Sequence, residues 1–467
     1  MPRDRSEMPA LTVELARWLA GLRPEALPES TRHAARLALL DTMGAALHGR
    51  REFWAETALA WARQGYGPAG NGDGLATVWG ESQPSLRPAD AALVNGVATH
   101  AFELDDFIAK LHPGAAVVPA ALALGERLDA GGAEIETAVV AGYEVMVRAS
   151  RALDPNAARL RGWHLTGVCG PLGAAAAGAV LFGLDEEATA WALGLGATQG
   201  SGLFAFNADG AMSKRLHPGR AAHAGVMAAE LAAMGFTGPA SVLETDDGGF
   251  LDAFSDAANP DRLLEGLGSE WAVEQVYFKP YSCCGSLHSY VDAAREIRDR
   301  LGRMPEPGET VRAGLPRVVD VQCGFDYEPG TALNGQMSAR FTIAAALADG
   351  NALPAQYTDE RLKDPELVEL AKRIELVPDA ELDSIYPADY PGWVEIAGPD
   401  GRVERSEALN PSGAPGHPGR EAALLSKYDA LAIEAVGATA AERLKAVLMD
   451  LPRHDAAALA AAPAQAA

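Results

Sequence analysis

Residues 165–184 read Leu-Thr-Gly-Val-Cys-Gly-Pro-Leu-Gly-Ala-Ala-Ala-Ala-Gly-Ala-Val-Leu-Phe-Gly-Leu, twenty positions without a charge. Length alone would let such a stretch cross a bilayer as a helix. Five of its residues are Gly, five are Ala and one is Pro171. Such residues gain little on transfer to lipid, but they let helix backbones approach closely. The stretch therefore predicts a central helix buried among other helices. Further helices, rich in Ala and Leu and bounded by Gly or Pro, are predicted around it at 28–49, 88–102, 114–129, 135–153 and 219–235.

After Gly268 the texture changes. Runs rich in β-branched residues at 317–323, 373–377 and 393–396 predict strands, and Pro399-Asp400-Gly401 predicts the turn of a hairpin closing onto 402–405. Beyond Ser406 the pattern is helical again, with a Gly/Pro-rich loop at 411–419 and a helix at 438–451. The Ala-rich end, 456–467, is expected to be a disordered tail. The predicted fold is mainly α: a large all-helical domain (1–267), a smaller α+β domain (268–405) and C-terminal helices (406–455) that rejoin the first.

At 467 residues the chain has room for roughly two or three globular units. Its 39 Lys and Arg against 63 Asp and Glu give a net charge of −24, which argues against nucleic acid or an anionic membrane as a partner. Cys169, Cys283, Cys284 and Cys323 have no metal-type spacing, which suits a reducing cytoplasm. The N-terminus carries Arg3, Asp4, Arg5 and Glu7 and lacks the apolar run of an export signal.

Four clusters could carry chemistry. His100-Ala-Phe-Glu103-Leu-Asp105-Asp106 precedes His112-Pro113-Gly114. On a helix, residues 100, 103 and 106 would share a face, so an imidazole and two carboxylates could converge with His112 for acid/base work. The same residues would also suit a capped helix end, or a His/Asp/Glu metal site without compact ligand spacing. Gly162-Trp163-His164 stands just ahead of the uncharged helix, where His164 could hold a carboxylate beside exposed N–H groups or simply be packed. Lys214-Arg215-Leu-His217-Pro218-Gly219 reads as either a basic, anion-binding helix entry or a solvated loop. Finally, Lys279-Pro280-Tyr281-Ser282-Cys283-Cys284, followed by His288, lies where the two textures meet. Its cysteines could be an activated nucleophile or two structural thiols. Gly194 to Gly200 lacks both the spacing and the preceding strand of a dinucleotide loop.

Taken together, these marks resemble the MmgE/PrpD family of dehydratases, decarboxylases and epimerases over nearly the whole chain. They are Val94-Asn95-Gly96 through Asp106, His112-Pro113-Gly114-Ala115-Ala116, Gly162-Trp163-His164, Gly210 to Arg220, and Lys279-Pro280-Tyr281 through His288. The resemblance implies a helical domain with an α+β lid, a homodimer, and a site without metal or coenzyme that acts on a small anionic polycarboxylate. It implies site residues Glu103, Asp106, His112, His164, Lys214 and His288. Where the family commonly has Asp-Phe-Asp-Asp-Thr, this chain has Glu103-Leu-Asp-Asp-Phe107.

Removing a proton beside a carboxylate builds up negative charge, so such a site needs a base near neutral pKa and cations aimed at that charge. His112 or His164 is expected to move the proton. Lys214 would hold carboxylates, assisted by Arg215, His217, Lys279 and His288, and Glu103, Asp106 or Tyr281 would protonate a leaving group. A dehydratase-type lyase is the leading expectation, with epimerase or decarboxylase as alternatives. A carboxylate-binding protein without chemistry is the rival from another class.

Overall fold

The computed structural model describes residues 10–64, 74–208, 210–386 and 389–463. The charged N-terminal residues Arg3 to Glu7 and the end of the expected tail, 464–467, lie outside them. The chain divides into two compact units. The first contains the residues up to Ala101, Asp105–Val276 and the chain from Tyr428 onward; the second contains Tyr277–Lys427 and the three residues Phe102–Leu104.

The first unit is helical: α1 (Leu11–Gly21), α2 (Glu29–Gly49), α3 (Phe53–Gln64), α4 (Pro88–Thr99), α5 (Gly114–Leu128), α6 (Gly132–Ala152), α7 (Pro155–Leu160), α8 (Leu165–Leu181), α9 (Glu186–Ala197), α10 (Ser213–Ala233) and α11 (Phe250–Phe254). The uncharged stretch forms α8, buried continuously from Leu165 to Ala179 against α5, α6, α9 and α10. Among the described residues no helix is long and apolar enough to cross a membrane.

Small residues make that burial possible. A Cβ added at Gly225 of α10 would lie 2.2 Å from the Ala174 Cβ and 2.7 Å from the Ala175 backbone nitrogen. In an exposed helix Gly→Ala stabilises by about 1 kcal/mol. Here overpacking against backbone, about 1–3 kcal/mol, reverses the sign. Gly225→Ala is therefore expected to lower the melting temperature, and a thermal melt at or above the wild-type midpoint would refute this account of the crossing.

The second unit carries a four-stranded sheet of β1 (Thr310–Leu315), β2 (Ile374–Pro378), β3 (Gly392–Ala397) and β4 (Val403–Ala408), in the order β2-β1-β3-β4. β1 pairs parallel with β2 and antiparallel with β3, and β3 with β4 forms the expected hairpin, turning at Gly401 with φ +82°. α12 (His288–Leu301) packs on β3 and β4.

Several expectations are corrected. Residues 317–323 form a helix, α13 (Arg317–Cys323), not a strand. Pro316 precedes it, the Arg317 N–H donates to Asp383, and the buried Val319 and Cys323 are spaced at the helical interval of four, while Val318 and Val321 are exposed. The unit boundaries also fall elsewhere. Residues 268–276 stay with the helical unit, because the Ala272 N–H donates to buried Glu144 and Thr31 donates to Glu274 at 2.7 Å. Residues 406–427 stay with the sheet unit, where the Ser412 N–H donates to Asp292 and the Phe278 N–H to the Gly413 carbonyl. The expected tail is in part a helix, Ala456–Ala461, started by the Asp455 carboxylate accepting from the Ala458 N–H and burying Ala456 and Leu459.

Candidate active site

The helix predicted to run through Phe102 stops at Thr99, so residues 100, 103 and 106 do not share a helical face. A compact irregular loop replaces it. Glu103, Ala109 and Lys110 adopt the left-handed region, with φ +57°, +47° and +59°, at a cost of roughly 1–2 kcal/mol each for an L-residue. Ile108 and Leu111 exchange both backbone hydrogen bonds, so Ala109 and Lys110 form the tip of a two-residue hairpin with the positive φ values of a type I′ turn. Such strain survives only where its surroundings over-determine it. Here Ser150 holds the Ala109 carbonyl at 2.8 Å.

The loop gathers His100, Asp105 and His112. Oδ2 of Asp105 is 2.7 Å from Nδ1 of His100 and 3.3 Å from Nδ1 of His112, and Nδ1 of His112 is also 2.9 Å from the Asp106 carbonyl oxygen. His100 and Asp105 are fully buried, whereas the His112 side chain keeps 13% exposure. Burial alone would raise the Asp105 carboxyl, but the imidazoles of His100 and His112 outweigh it and hold the group well below the usual carboxylate range. Burial pushes His100 down to about 3, against the pull of Asp105. These three residues present ligand-type atoms within 4.8 Å of one another. Both ring nitrogens already face the carboxylate at hydrogen-bond distances, so a cation would have to displace both contacts.

His164, at the N-cap of α8, extends the cluster. Its ring centroid lies 5.9 Å from that of His100, and its Nδ1 is 2.8 Å from Nδ1 of His217. Burial lowers both His164 and His217, and the Lys214 charge adds to the effect. Two neutral rings meeting nitrogen to nitrogen share one proton, so the pair presents one Nε2–H and one bare Nε2.

The basic segment is not a loop before a helix. α10 begins at Ser213, six residues before the expected Gly219, and carries Pro218 within it. Buried Lys214 thus sits in the first turn, where unpaired N–H groups and the helix dipole add positive potential. Its charge bears on His100, His164 and His217. Arg215, expected to bind substrate, lies 5.8 Å from the Trp54 ring and bears on Glu52.

Asp106, expected to act as an acid, is an anchor. It is fully buried, accepting from the Gly114 N–H at 2.9 Å and the Tyr143 hydroxyl at 2.7 Å. A side chain at Gly114 would collide with it, since an added Cβ would lie 2.8 Å from its Oδ1. Burial, then Asp41, pushes Asp106 up to about 8, whereas an unfolded Asp titrates near ~4. The folded protein therefore keeps a proton that the unfolded chain releases. That stability is complete below about pH 4 and is lost as pH rises through about 8. Asp106→Asn keeps an oxygen acceptor but cannot ionise, so its melting temperature should gain on the wild type as pH rises from acid to mildly alkaline. Parallel melting curves would refute the assignment.

In the second unit, Lys279 and Glu103 form a buried ion pair at 2.8 Å, with side chains 2% and 3% exposed. Tyr281 is committed rather than free: its hydroxyl donates to Asp292 and accepts from Arg295. His288 is fully buried, with Nε2 3.3 Å from the Cys283 carbonyl and its ring 5.4 Å from that of Tyr281. Burial, then Lys279, pushes it down to about 3. All four cysteines are buried and unbridged. A hydrogen bond from Cys323, against burial, brings the Cys284 thiol down to about 6.

Of the expected residues, the first unit brings together His112, His164, His217 and Lys214, and the second brings together Glu103, Lys279, Tyr281 and His288. The sequence reading passed over Asp105 and Tyr143. The acid doublet Asp105-Asp106 is the available signal: a helical phase favours Asp106, whereas in the structure the imidazoles of His100 and His112 face Asp105. A cavity of about 640 Å³ in the first unit, lined by Arg50, Arg51, Glu81, Ser82 and Ser85 among others, is not lined by these histidines.

The model of the MmgE/PrpD N-terminal domain matches residues 13–263, and that of the MmgE/PrpD C-terminal domain matches residues 281–452. A cis-aconitate decarboxylase of Aspergillus terreus is 30% identical over 96% of this chain and 95% of its own length. A cis-aconitate decarboxylase of Homo sapiens is 28% identical over 79% of this chain and 76% of its own.

Proposed function

The chain belongs to the MmgE/PrpD family and is an enzyme of lyase or decarboxylase type, and from that premise we propose that it decarboxylates a small unsaturated tricarboxylate of the cis-aconitate kind. The observation that carries the reading is the cluster of His100, His112, His164 and His217, in which Asp105 faces the first two rings and Lys214 is the cation. The names of the relatives support the same choice.

Dehydration would need an acid to protonate departing hydroxide. The acids expected for that task are engaged elsewhere: Asp106 with Tyr143 and Gly114, Tyr281 with Asp292 and Arg295, and Glu103 with Lys279. Decarboxylation needs no such acid. The bond to the departing carboxylate breaks and its electrons form a new carbon–carbon double bond. The old double bond gives its pair to the carbon beside a remaining carboxylate, and an imidazolium delivers a proton there. Tricarboxylate plus one proton becomes dicarboxylate plus carbon dioxide. Lys214, in a dry surrounding, stabilises the charge that accumulates.

We propose that the reaction runs without a metal, because the nitrogens best placed to bind one are already turned to Asp105. NMR of cis-aconitate incubated with the protein in deuterated buffer should show loss of carbon dioxide and one deuteron beside a carboxylate, unchanged by a chelator. Hydration products would favour a hydro-lyase, and an unaltered substrate would overturn the reading. The family resemblance also supports a homodimer, checked by the mass of the same preparation in solution.

A further inference from the structure

We propose that Asp105 is a positioning residue for this reaction: its carboxylate fixes the Nδ1–H form of His112, so that Nε2 is the atom that exchanges the proton with substrate. The inference rests on the functional reading above, and it concerns a residue that reading gives no task of its own.

Nδ1 of His112 faces two oxygens, the Asp106 carbonyl at 2.9 Å and Asp105 Oδ2 at 3.3 Å. A backbone carbonyl only accepts, and an ionised carboxylate only accepts. A bare Nδ1 would confront both with a lone pair, so that nitrogen carries the proton. The outcome is the same whether His112 is neutral or doubly protonated, because only Nε2 differs between the two states. The site can thus take or deliver a proton without any ring flip.

The surroundings hold this geometry in place. The fully buried His100 satisfies the same Oδ2 at 2.7 Å, and its ring meets that of His112 edge-on with centroids 4.6 Å apart. The His112 backbone N–H donates to Thr166 Oγ1 at 3.1 Å, tying the residue to α8. Asp105 and Asp106 divide the work. Asp106 serves backbone and tyrosine, whereas Asp105 directs Oδ2 to two rings, and its buried Oδ1 has no hydrogen-bond partner among the described residues. A carboxylate buried only to support the fold would spend both oxygens on backbone donors or a cation. This one spends its bonds on imidazoles, as carboxylates that orient proton-transferring histidines do.

Two measurements test the proposal. In wild-type protein with 15N-labelled histidine, the long-range proton–nitrogen spectrum should show His112 protonated at Nδ1, the signal being assigned by its loss in His112→Gln. Protonation at Nε2 with Nδ1 bare overturns the proposal, and this readout needs no variant of Asp105 to fold. In Asp105→Asn, whose amide can turn an N–H toward the ring, the His112 signal should move toward the other tautomer. Its kcat should fall by about 100-fold or more, with KM within about threefold. Unchanged kcat in a folded Asp105→Asn protein also overturns it. If the wild type turns over no tricarboxylate, the functional reading fails, and the response of the His112 signal to Asp105→Asn still decides whether Asp105 holds the ring.

Discussion

Lys214→Ala is expected to lower kcat/KM for the tricarboxylate by about 10³-fold, equivalent to about 4 kcal/mol of transition-state stabilisation. Lys214 is 9% exposed, and it is the cation whose charge reaches His100, His164 and His217 together. Loss of carbon dioxide leaves an electron pair beside a carboxylate, and a desolvated ammonium opposes that charge far more strongly than water could. Stability should hardly move. Alanine is at least as good a helix former as lysine in the first turn of α10, and the substitution removes a positive charge from beside three imidazoles. A folded Lys214→Ala protein within tenfold of the wild type would end the proposed role. A wild type that binds the tricarboxylate without turning it over would instead favour a carboxylate-binding protein.

Lys279→Met should have the largest effect on stability. Removing one member of a buried ion pair strands the other, at a cost of about 3–5 kcal/mol. Glu103 would be left 3% exposed, on a left-handed residue. The melting transition should fall by roughly 10 °C for a unit of this size. Replacing both partners, Lys279→Met with Glu103→Leu, should recover most of the loss, because two apolar side chains strand no charge. The double variant also separates two roles of Lys279. A normal KM would make the residue structural, whereas a raised KM with restored melting would return it to the substrate. Failure of the second substitution to rescue melting would refute the pair as the reason for the first loss.

The parts of this molecule that follow from local pattern were legible in the sequence. Gly and Ala at 165–184 announced a crowded central helix, and Pro399-Asp400-Gly401 announced a hairpin. His112 and His164 were recognisable because each stands just ahead of a helix start marked by small residues. What escaped depends on tertiary override. Nothing in Glu103, Ala109 or Lys110 advertises a positive φ, a conformation their side chains disfavour, so the run from His100 to Asp106 looked helical and Asp105 looked incidental. Pro218 suggested a helix entry at Gly219, yet the helix starts earlier and carries the proline inside it. The valines of 317–323 suggested a strand, but two of the three face solvent.

The three residues Phe102–Leu104, which cluster with the second unit although both flanks belong to the first, also bear on how the chain is made. Glu103 leaves the ribosome 176 residues before Lys279 does, an interval of roughly 10–30 s at ordinary rates of synthesis. Throughout that wait the ammonium of Lys279 is not yet there to meet its carboxylate. The first unit likewise lacks everything from Tyr428 onward until translation is nearly over. Nascent chains should therefore stay protease-sensitive around position 103 until late in elongation, and chaperone demand should track the length of the unfinished polypeptide.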